Sequence, residues 1–190
     1  MAYKIEHRVG IAVPKEVIWD ILANVAGWPD WNPTYPKASG VLRIGEALNL
    51  IQALPGQKPE AISARIIDWV PYEQLHWATA AGGGLIKVLH YIEIEALSDE
   101  GCIFSSGEIF GGLFGEMAAK AMRRPIQGGL EAFNNAMRGK AEATYATMDK
   151  PKRTKPASKA PTPASKLTLP KLTTPMESVM GFGRAPKRKS

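Results

Sequence analysis

Two histidines and one glutamate, His7, His90 and Glu108, are the candidates for chemistry in this 190-residue chain. Imidazole and carboxyl groups transfer protons, form hydrogen bonds to ligands and bind metal ions. The sequence contains no GxSxG, GxGxxG, Walker A, CxxC or HExxH motif that would point to a nucleophile, a cofactor or a local metal site. Any catalysis would therefore depend on acid/base residues and on the shape of a pocket.

The pattern around both histidines indicates that they are buried in strands. In the segment 86–97 the even positions are apolar apart from His90, whereas the odd positions include Lys87 and two glutamates. His7 lies on the apolar odd face of the first predicted strand, 5–13. Both imidazoles are therefore expected to point toward the core.

Glu108 belongs to a predicted strand, 102–110, with two competing faces. We place one face inward because it carries the aromatic side chains: Cys102, Phe104, Ser106, Glu108 and Phe110. A short turn at 98–101 joins this strand to the preceding one, so the two form an antiparallel hairpin. Its register sets Glu108 opposite His90.

The elements that would hold these residues follow from periodicity and turn signals. Apolar spacing predicts a short helix at Lys15–Asn24 and a long one at Leu113–Ala146, which Pro125 should kink or divide. After the first strand, turn signals separate short β-like runs: Val41–Leu42, Ala47–Leu54, Ala61–Val70, Gln74–Thr79, Ile86–Leu97 and Cys102–Phe110. Consecutive strands with short turns are antiparallel, and only the long helix is large enough to cover their apolar face. The sequence therefore predicts an α+β fold.

Such a helix and sheet would enclose a volume, and large side chains are candidates for its wall. Trp28, Trp31 and Trp77 are expected near the cavity or its mouth, although ordinary core packing is an open alternative for each. Met117 and Met122 lie on the predicted apolar stripe of the long helix, where flexible thioethers suit an adaptable wall.

Three stretches carry a resemblance to a known family. VPKEVIWDILANVAGWPDWNP resembles the opening of the polyketide cyclase/dehydrase branch of the START-like (SRPBCC) superfamily. IIDWVPYEQLHW is similar to its paired middle strands, and GEIFGGLFG with the following helix is similar to its last strand and closing helix. The resemblance covers about residues 3–146. It implies the helix-grip fold, a seven-stranded sheet around a long C-terminal helix with a deep, mostly apolar cavity.

In a helix-grip fold the first strand pairs antiparallel with the last, which sets His7 opposite Ser106 or Glu108. His7, Glu108 and His90 would then converge on one row. Three interpretations remain open: a polar row that satisfies its own hydrogen bonds, a site that orients a ligand or transfers protons, and a metal site of two histidines and one carboxylate. The resulting prediction for ligand contacts is Trp31, Trp77, His90, Glu108, Phe110 and Met117.

The resemblance implies several functions, because family members include lipid carriers, polyketide cyclases, coenzyme-Q-binding proteins and co-chaperones. We expect a protein that binds a hydrophobic small molecule, which is lipid-like, isoprenoid or polyketide-like. The alternatives are a cyclase or dehydratase that uses His90, Glu108 or His7, and a co-chaperone that binds through its C-terminal segment. No cofactor is predicted, and a monomer and a homodimer are both consistent with the sequence.

Charge divides the chain into two parts. Residues 1–148 carry 13 Lys or Arg and 16 Asp or Glu, net −3, whereas residues 149–190 carry 11 and 2, net +9. The second part is rich in Pro, Lys, Ser and Thr, so we expect a ligand-binding domain at 1–148 and a disordered basic tail. Two roles of the tail are open: a solubilising appendage, and a weak contact with an anionic membrane or nucleic acid. A single cysteine, Cys102, and an N-terminus without an apolar run favour a cytoplasmic protein.

Overall fold

The computed structural model of this chain describes residues 2–148. Within that range, seven strands and two α-helices follow one another: β1 Tyr3–Ile11, α1 Lys15–Ala23, β2 Lys37–Gly40, β3 Ala47–Gln52, β4 Glu60–Val70, β5 Gln74–Ala81, β6 Ile86–Ser98, β7 Gly101–Gly111 and α2 Gly115–Thr147. Short 3-10 turns at Val25–Asp30 and Gly82–Gly84 complete the described elements. The predicted α+β class is confirmed.

The strands form one antiparallel sheet in the order β1-β7-β6-β5-β4-β3-β2. From β2 to β7, strands that are adjacent in the sheet are also consecutive in the sequence. β1 pairs with β7 and forms the other edge of the sheet. In the β6–β7 hairpin His90 lies opposite Glu108, as predicted. The β1–β7 pairing sets His7 opposite Ser106.

Helix α2 packs on β1 and β7 through one apolar stripe. The stripe contains Ile126, Leu130, Phe133 and Met137, which recur at helical spacing and are all buried. The fully buried Asn134 adds polar contacts to both strands. Its Nδ2 donates to the His7 backbone carbonyl at 2.8 Å, and its Oδ1 accepts from the Ser106 hydroxyl at 2.6 Å.

The proline-rich segment before β2 is tied to the middle of α2. Asn32 Oδ1 accepts the backbone N–H groups of Thr34 and Tyr35 at 3.0 and 3.1 Å, and this turn directs the chain inward. The Thr34 hydroxyl donates to the Gly129 carbonyl at 2.8 Å. A Cβ at Gly129 would lie 2.6 Å from the Leu54 side chain, so glycine permits this close approach.

Two predicted strand positions are wrong. The strand expected at Val41–Leu42 lies earlier, at Lys37–Gly40, and Val41 is exposed. Hydrogen bonding to β3 determines this strand, and a short edge strand of small and polar residues has no apolar alternation to reveal it. The first strand covers Tyr3–Ile11 instead of 5–13, because its pairing ends where Ile11 meets Cys102.

The long helix also differs from its prediction. It begins at Gly115 and continues through Pro125 without division, held by buried residues on both sides of the proline, such as Ala119 and Ile126. Leu113 precedes the helix and is exposed. Met117 is 64% exposed, so its predicted place on the buried stripe is wrong: the first turns of α2 direct this position to solvent.

Within residues 2–148, none of the helices has the combination of length and apolar character that crossing a membrane requires. The predicted tail, 149–190, and its expected disorder lie outside the described residues. The division into a domain at 1–148 and a tail therefore stays a prediction.

Candidate functional site

The concave face of the sheet and helix α2 border a cavity of about 320 Å³. Its lining comes from β3 to β7 and α2 and combines a majority of apolar residues with several polar ones. The apolar and aromatic members include Leu54, Ile62, Ile86, Val88, Phe110, Met122 and Ile126. His90 and Glu108 belong to the same lining, so the hairpin places its two buried ionisable side chains at a ligand-sized volume.

His90 and Glu108 form a buried pair. His90 is 5% exposed and Glu108 is 4% exposed, and 3.3 Å separates His90 Nδ1 from Glu108 Oε1. His90 Nε2 lies 3.2 Å from the hydroxyl oxygen of Thr79, which also lines the cavity. An ionised carboxylate only accepts hydrogen bonds, so a hydrogen bond from His90 to an ionised Glu108 requires the proton on Nδ1. In the neutral imidazole, Nε2 is then the acceptor on the side of Thr79.

Trp77 fixes the plane of the imidazole. The Trp77 and His90 rings are stacked, with centroids 5.4 Å apart and an interplanar angle of 3°. Trp77 is 2% exposed, and its indole Nε1 has no hydrogen-bond partner within residues 2–148. Trp77 is not among the residues that line the 320 Å³ cavity, so its predicted contact with a ligand stays a prediction.

A smaller cavity of about 10 Å³ borders the same pair, with room for about one water molecule. Trp77, Tyr35, Ser106 and Phe133 line it together with His90 and Glu108. The pair therefore borders two cavities, one of ligand size and one of about the size of a water molecule.

Gln52 and Tyr35, like Thr79, are polar residues of the site that the sequence did not reveal. Gln52 Nε2 lies 3.5 Å from Glu108 Oε1. Burial raises the pKa of the Tyr35 hydroxyl well above its usual range, and the nearby Glu108 carboxylate raises it further, while a hydrogen bond with Gln52 opposes the shift. Tyr35 is thus a protonated hydrogen-bond donor. Gln52 follows the inward pair Leu48 and Leu50 in β3, so parity could have found it, whereas no periodicity marks Tyr35.

His7 does not join the pair. It lies opposite Ser106, one of the two pairings predicted from the sequence, and Ile5 lies opposite Glu108, so His7 does not share a row with the pair. Its Nδ1 is buried without a hydrogen-bond partner among the described residues. The sequence left two β1–β7 pairings open, with His7 opposite Ser106 or opposite Glu108. The structure adopts the first.

The remaining predicted contacts divide into two groups. Phe110 lines the 320 Å³ cavity, whereas Trp31 lines neither cavity and stacks on Phe133 with ring centroids 5.7 Å apart. Met117 lies in solvent, so its predicted place on the cavity wall is wrong. Met122, five positions later in α2, occupies that wall instead.

Metal binding was one of the three interpretations of the polar residues. Within residues 2–148, no group of three or more His, Cys, Asp or Glu side chains is placed to hold a metal ion. Since His7 lies opposite Ser106, the arrangement of two histidines and one carboxylate lacks its second imidazole.

A match to a protein-family model establishes the family that the sequence resemblance suggested. Residues 2–138 match the model described as polyketide cyclase / dehydrase and lipid transport. The chain belongs to this family. The family membership and the seven-stranded helix-grip fold expected from the resemblance are both confirmed. No curated protein sequence matches the chain.

Solved structures agree with this family fold. The Zhui aromatase/cyclase from Streptomyces sp. R1128 is 19% identical, with a TM-score of 0.64, and the match covers 76% of this chain and 96% of that one. Norcoclaurine synthase from Thalictrum flavum is 17% identical, with a TM-score of 0.59, over 79% of this chain and 90% of that one. At these identities the similarity shows the fold alone. The chemistry has to be argued from the site.

Proposed function

We propose that this protein binds a hydrophobic small molecule in the 320 Å³ cavity between the sheet and α2. The observation that carries the proposal is a cavity with an apolar majority among its lining residues, bordered by the buried His90–Glu108 pair, whose Nδ1 and Oε1 atoms lie 3.3 Å apart. Its volume is within the range of small-molecule sites, about 300–1,000 Å³, which combine apolar walls with a few polar groups that orient the ligand. The description of the family, which includes lipid transport, supports the same class of ligand.

The burial of the pair supports a role beyond packing. Taking ionisable groups out of water is costly unless hydrogen bonds compensate for the lost hydration. One contact of 3.3 Å joins His90 to Glu108, and their other partners, Thr79 and Gln52, are half-buried side chains that line the cavity. The polar atoms therefore lie where a ligand can complete their hydrogen bonding.

Two methionines of α2 provide a matched test of the cavity. Met122→Arg would place a cation on the apolar wall, whereas Met117→Arg adds the same charge to an exposed position of the same helix. We expect a neutral dye such as Nile red to bind the full-length protein at one site per chain. Met122→Arg should weaken this binding at least about tenfold, because burying an unpaired charge is costly.

Met117→Arg should leave dye binding unchanged, which controls for the added charge and for helix α2 itself. Equal dye affinity in the wild-type protein and in a folded Met122→Arg variant would contradict the cavity assignment. Circular dichroism of both variants establishes that they are folded.

A second candidate function, cyclisation or dehydration of the bound molecule, is favoured by the order of groups Thr79, His90 and Glu108. An imidazole whose Nδ1 is held by a carboxylate presents Nε2 as a proton acceptor, and the resulting imidazolium can return the proton to a leaving hydroxyl. Such a base would remove a proton beside a carbonyl group, and water would leave with the returned proton. The cyclase and dehydrase members of the family support this alternative.

Native mass spectrometry of the purified full-length protein, with extraction of the bound molecule, tests the two functions. A bound molecule that is recovered unaltered from wild type, His90→Ala and Glu108→Gln supports binding alone. A different, unreacted molecule recovered only from the variants supports catalysis. If both variants keep the wild-type ligand and lose only thermal stability, the pair is structural.

A further inference from the structure

The charge of the cavity limits the ligands that it can accept. Among the residues that line the two cavities described above, two have carboxyl groups, Glu60 and Glu108, and none is Lys or Arg. The one imidazole, His90, is already paired with Glu108 at 3.3 Å. With Glu108 ionised, the pair carries no net charge when His90 is protonated and −1 when it is neutral. An anionic ligand group would lose its hydration there and gain no net attraction.

The hydrogen-bonding groups point to one kind of neutral ligand. Glu108, whose carboxylate is an acceptor, and Gln52, whose side-chain amide is a donor, both line the 320 Å³ cavity. A hydroxyl group donates and accepts, so it can serve both. A carboxylate can only accept, and a hydrocarbon can do neither.

We infer that the 320 Å³ cavity selects uncharged apolar molecules that carry a hydroxyl group, such as alcohols and phenols, and excludes carboxylates such as fatty acids. This inference rests on the proposed function and names the chemical class of its ligand. It assigns Glu108 as the residue that determines specificity by charge.

The test compares three molecules with the same apolar body: 2-naphthol, which is neutral at pH 7, 2-naphthoate, which is ionised, and 2-methylnaphthalene, which has no polar group. Each competes with Nile red for the full-length protein at about 0.3 M salt, where exposed charges are screened within about 6 Å. We expect 2-naphthol to bind at least about tenfold more tightly than either competitor, the factor that corresponds to one hydrogen bond to a charged group. The basic residues after 148 attract anions and would favour 2-naphthoate, so they work against the expected preference for 2-naphthol.

Variants assign the exclusion to Glu108. Glu108→Gln keeps the shape of the side chain and removes its charge, so 2-naphthoate should gain at least about tenfold in affinity relative to 2-naphthol. Glu93→Gln removes the same charge from an exposed position of β6 and should leave the ratio unchanged. Gln52→Lys adds the missing cation while Glu108 remains, and it should also favour 2-naphthoate.

The outcomes separate this inference from the proposed function. If Nile red does not bind at all, the proposed function fails and the inference falls with it. If Nile red binds but 2-naphthoate competes as well as 2-naphthol in the wild-type protein, only the inference is overturned. It is equally overturned if 2-methylnaphthalene matches 2-naphthol, or if Glu108→Gln and Gln52→Lys both fold and neither improves the binding of 2-naphthoate.

Discussion

Asn134 is the residue whose replacement should most clearly uncouple helix α2 from the sheet. It is fully buried, and its amide joins the backbone carbonyl of His7 in β1 to the hydroxyl of Ser106 in β7. In Asn134→Ala both partners lose their hydrogen bond. Each buried polar group left unsatisfied costs about 1–3 kcal/mol, so the free energy of unfolding should fall by about 2–5 kcal/mol.

The neighbouring Asn135 provides a matched control, because it is exposed on the same helix. Asn135→Ala should change the free energy of unfolding by no more than about 0.5 kcal/mol, in the stabilising direction if helix propensity dominates. Urea denaturation of both variants measures the difference. At about 2–4 °C per kcal/mol, Asn134→Ala should also lower the melting temperature by roughly 4–20 °C.

A double-mutant cycle with Ser106→Ala then tests the assigned cause. If the Asn134–Ser106 hydrogen bond carries part of the loss, the two substitutions together should cost less than the sum of their separate effects. The reasoning is refuted if Asn134→Ala is no more destabilising than Asn135→Ala, or if the effects of Asn134→Ala and Ser106→Ala are additive.

Further predictions concern the outer face, a close contact and the tail. Lys4, which pairs with Glu6 at 2.6 Å, and then the Tyr91 hydroxyl hold the pKa of Glu6 below its usual 4.5. Because the pKa of Glu6 is lowered in the folded state, its ionised form stabilises the protein above pH 4.5. Glu6→Gln should therefore melt at a lower temperature than the wild type at pH 7, and this difference should vanish as the pH is lowered through the folded-state pKa. A difference that does not depend on pH would contradict this prediction. Gly107→Ala should destabilise the protein by about 1–3 kcal/mol in urea denaturation, because the added Cβ would meet the ring and hydroxyl of Tyr91. Gly10→Ala is the control, because a Cβ at that position meets nothing within 4 Å. We also propose that the net +9 of residues 149–190 attaches the protein to anionic membranes, so full-length protein should sediment with anionic vesicles at low salt and not at high salt; equal sedimentation of a chain ending at residue 148 would refute a role for the tail.

The sequence by itself determined the features that depend on local rules. Strand alternation placed His90 on the inward face, and the aromatic side chains of the next strand placed Glu108 there. The short β6–β7 turn fixed their register, because a turn of few residues leaves few ways to pair the strands it joins. The extent of α2 followed from helical periodicity to within a few residues. The family resemblance was likewise carried by short contiguous stretches.

Only the tertiary structure decided the features that join distant parts of the chain. The β1–β7 pairing closes a long loop, so no local turn fixes its register, and the position of His7 relative to Glu108 depended on the packing of the whole sheet. Tyr35 reaches the site from an irregular segment held by Asn32, which no periodicity describes. Periodicity likewise placed Met117 and Met122 on one stripe. Which of them meets the cavity depends on where α2 begins and on how it crosses the sheet, and both are consequences of packing.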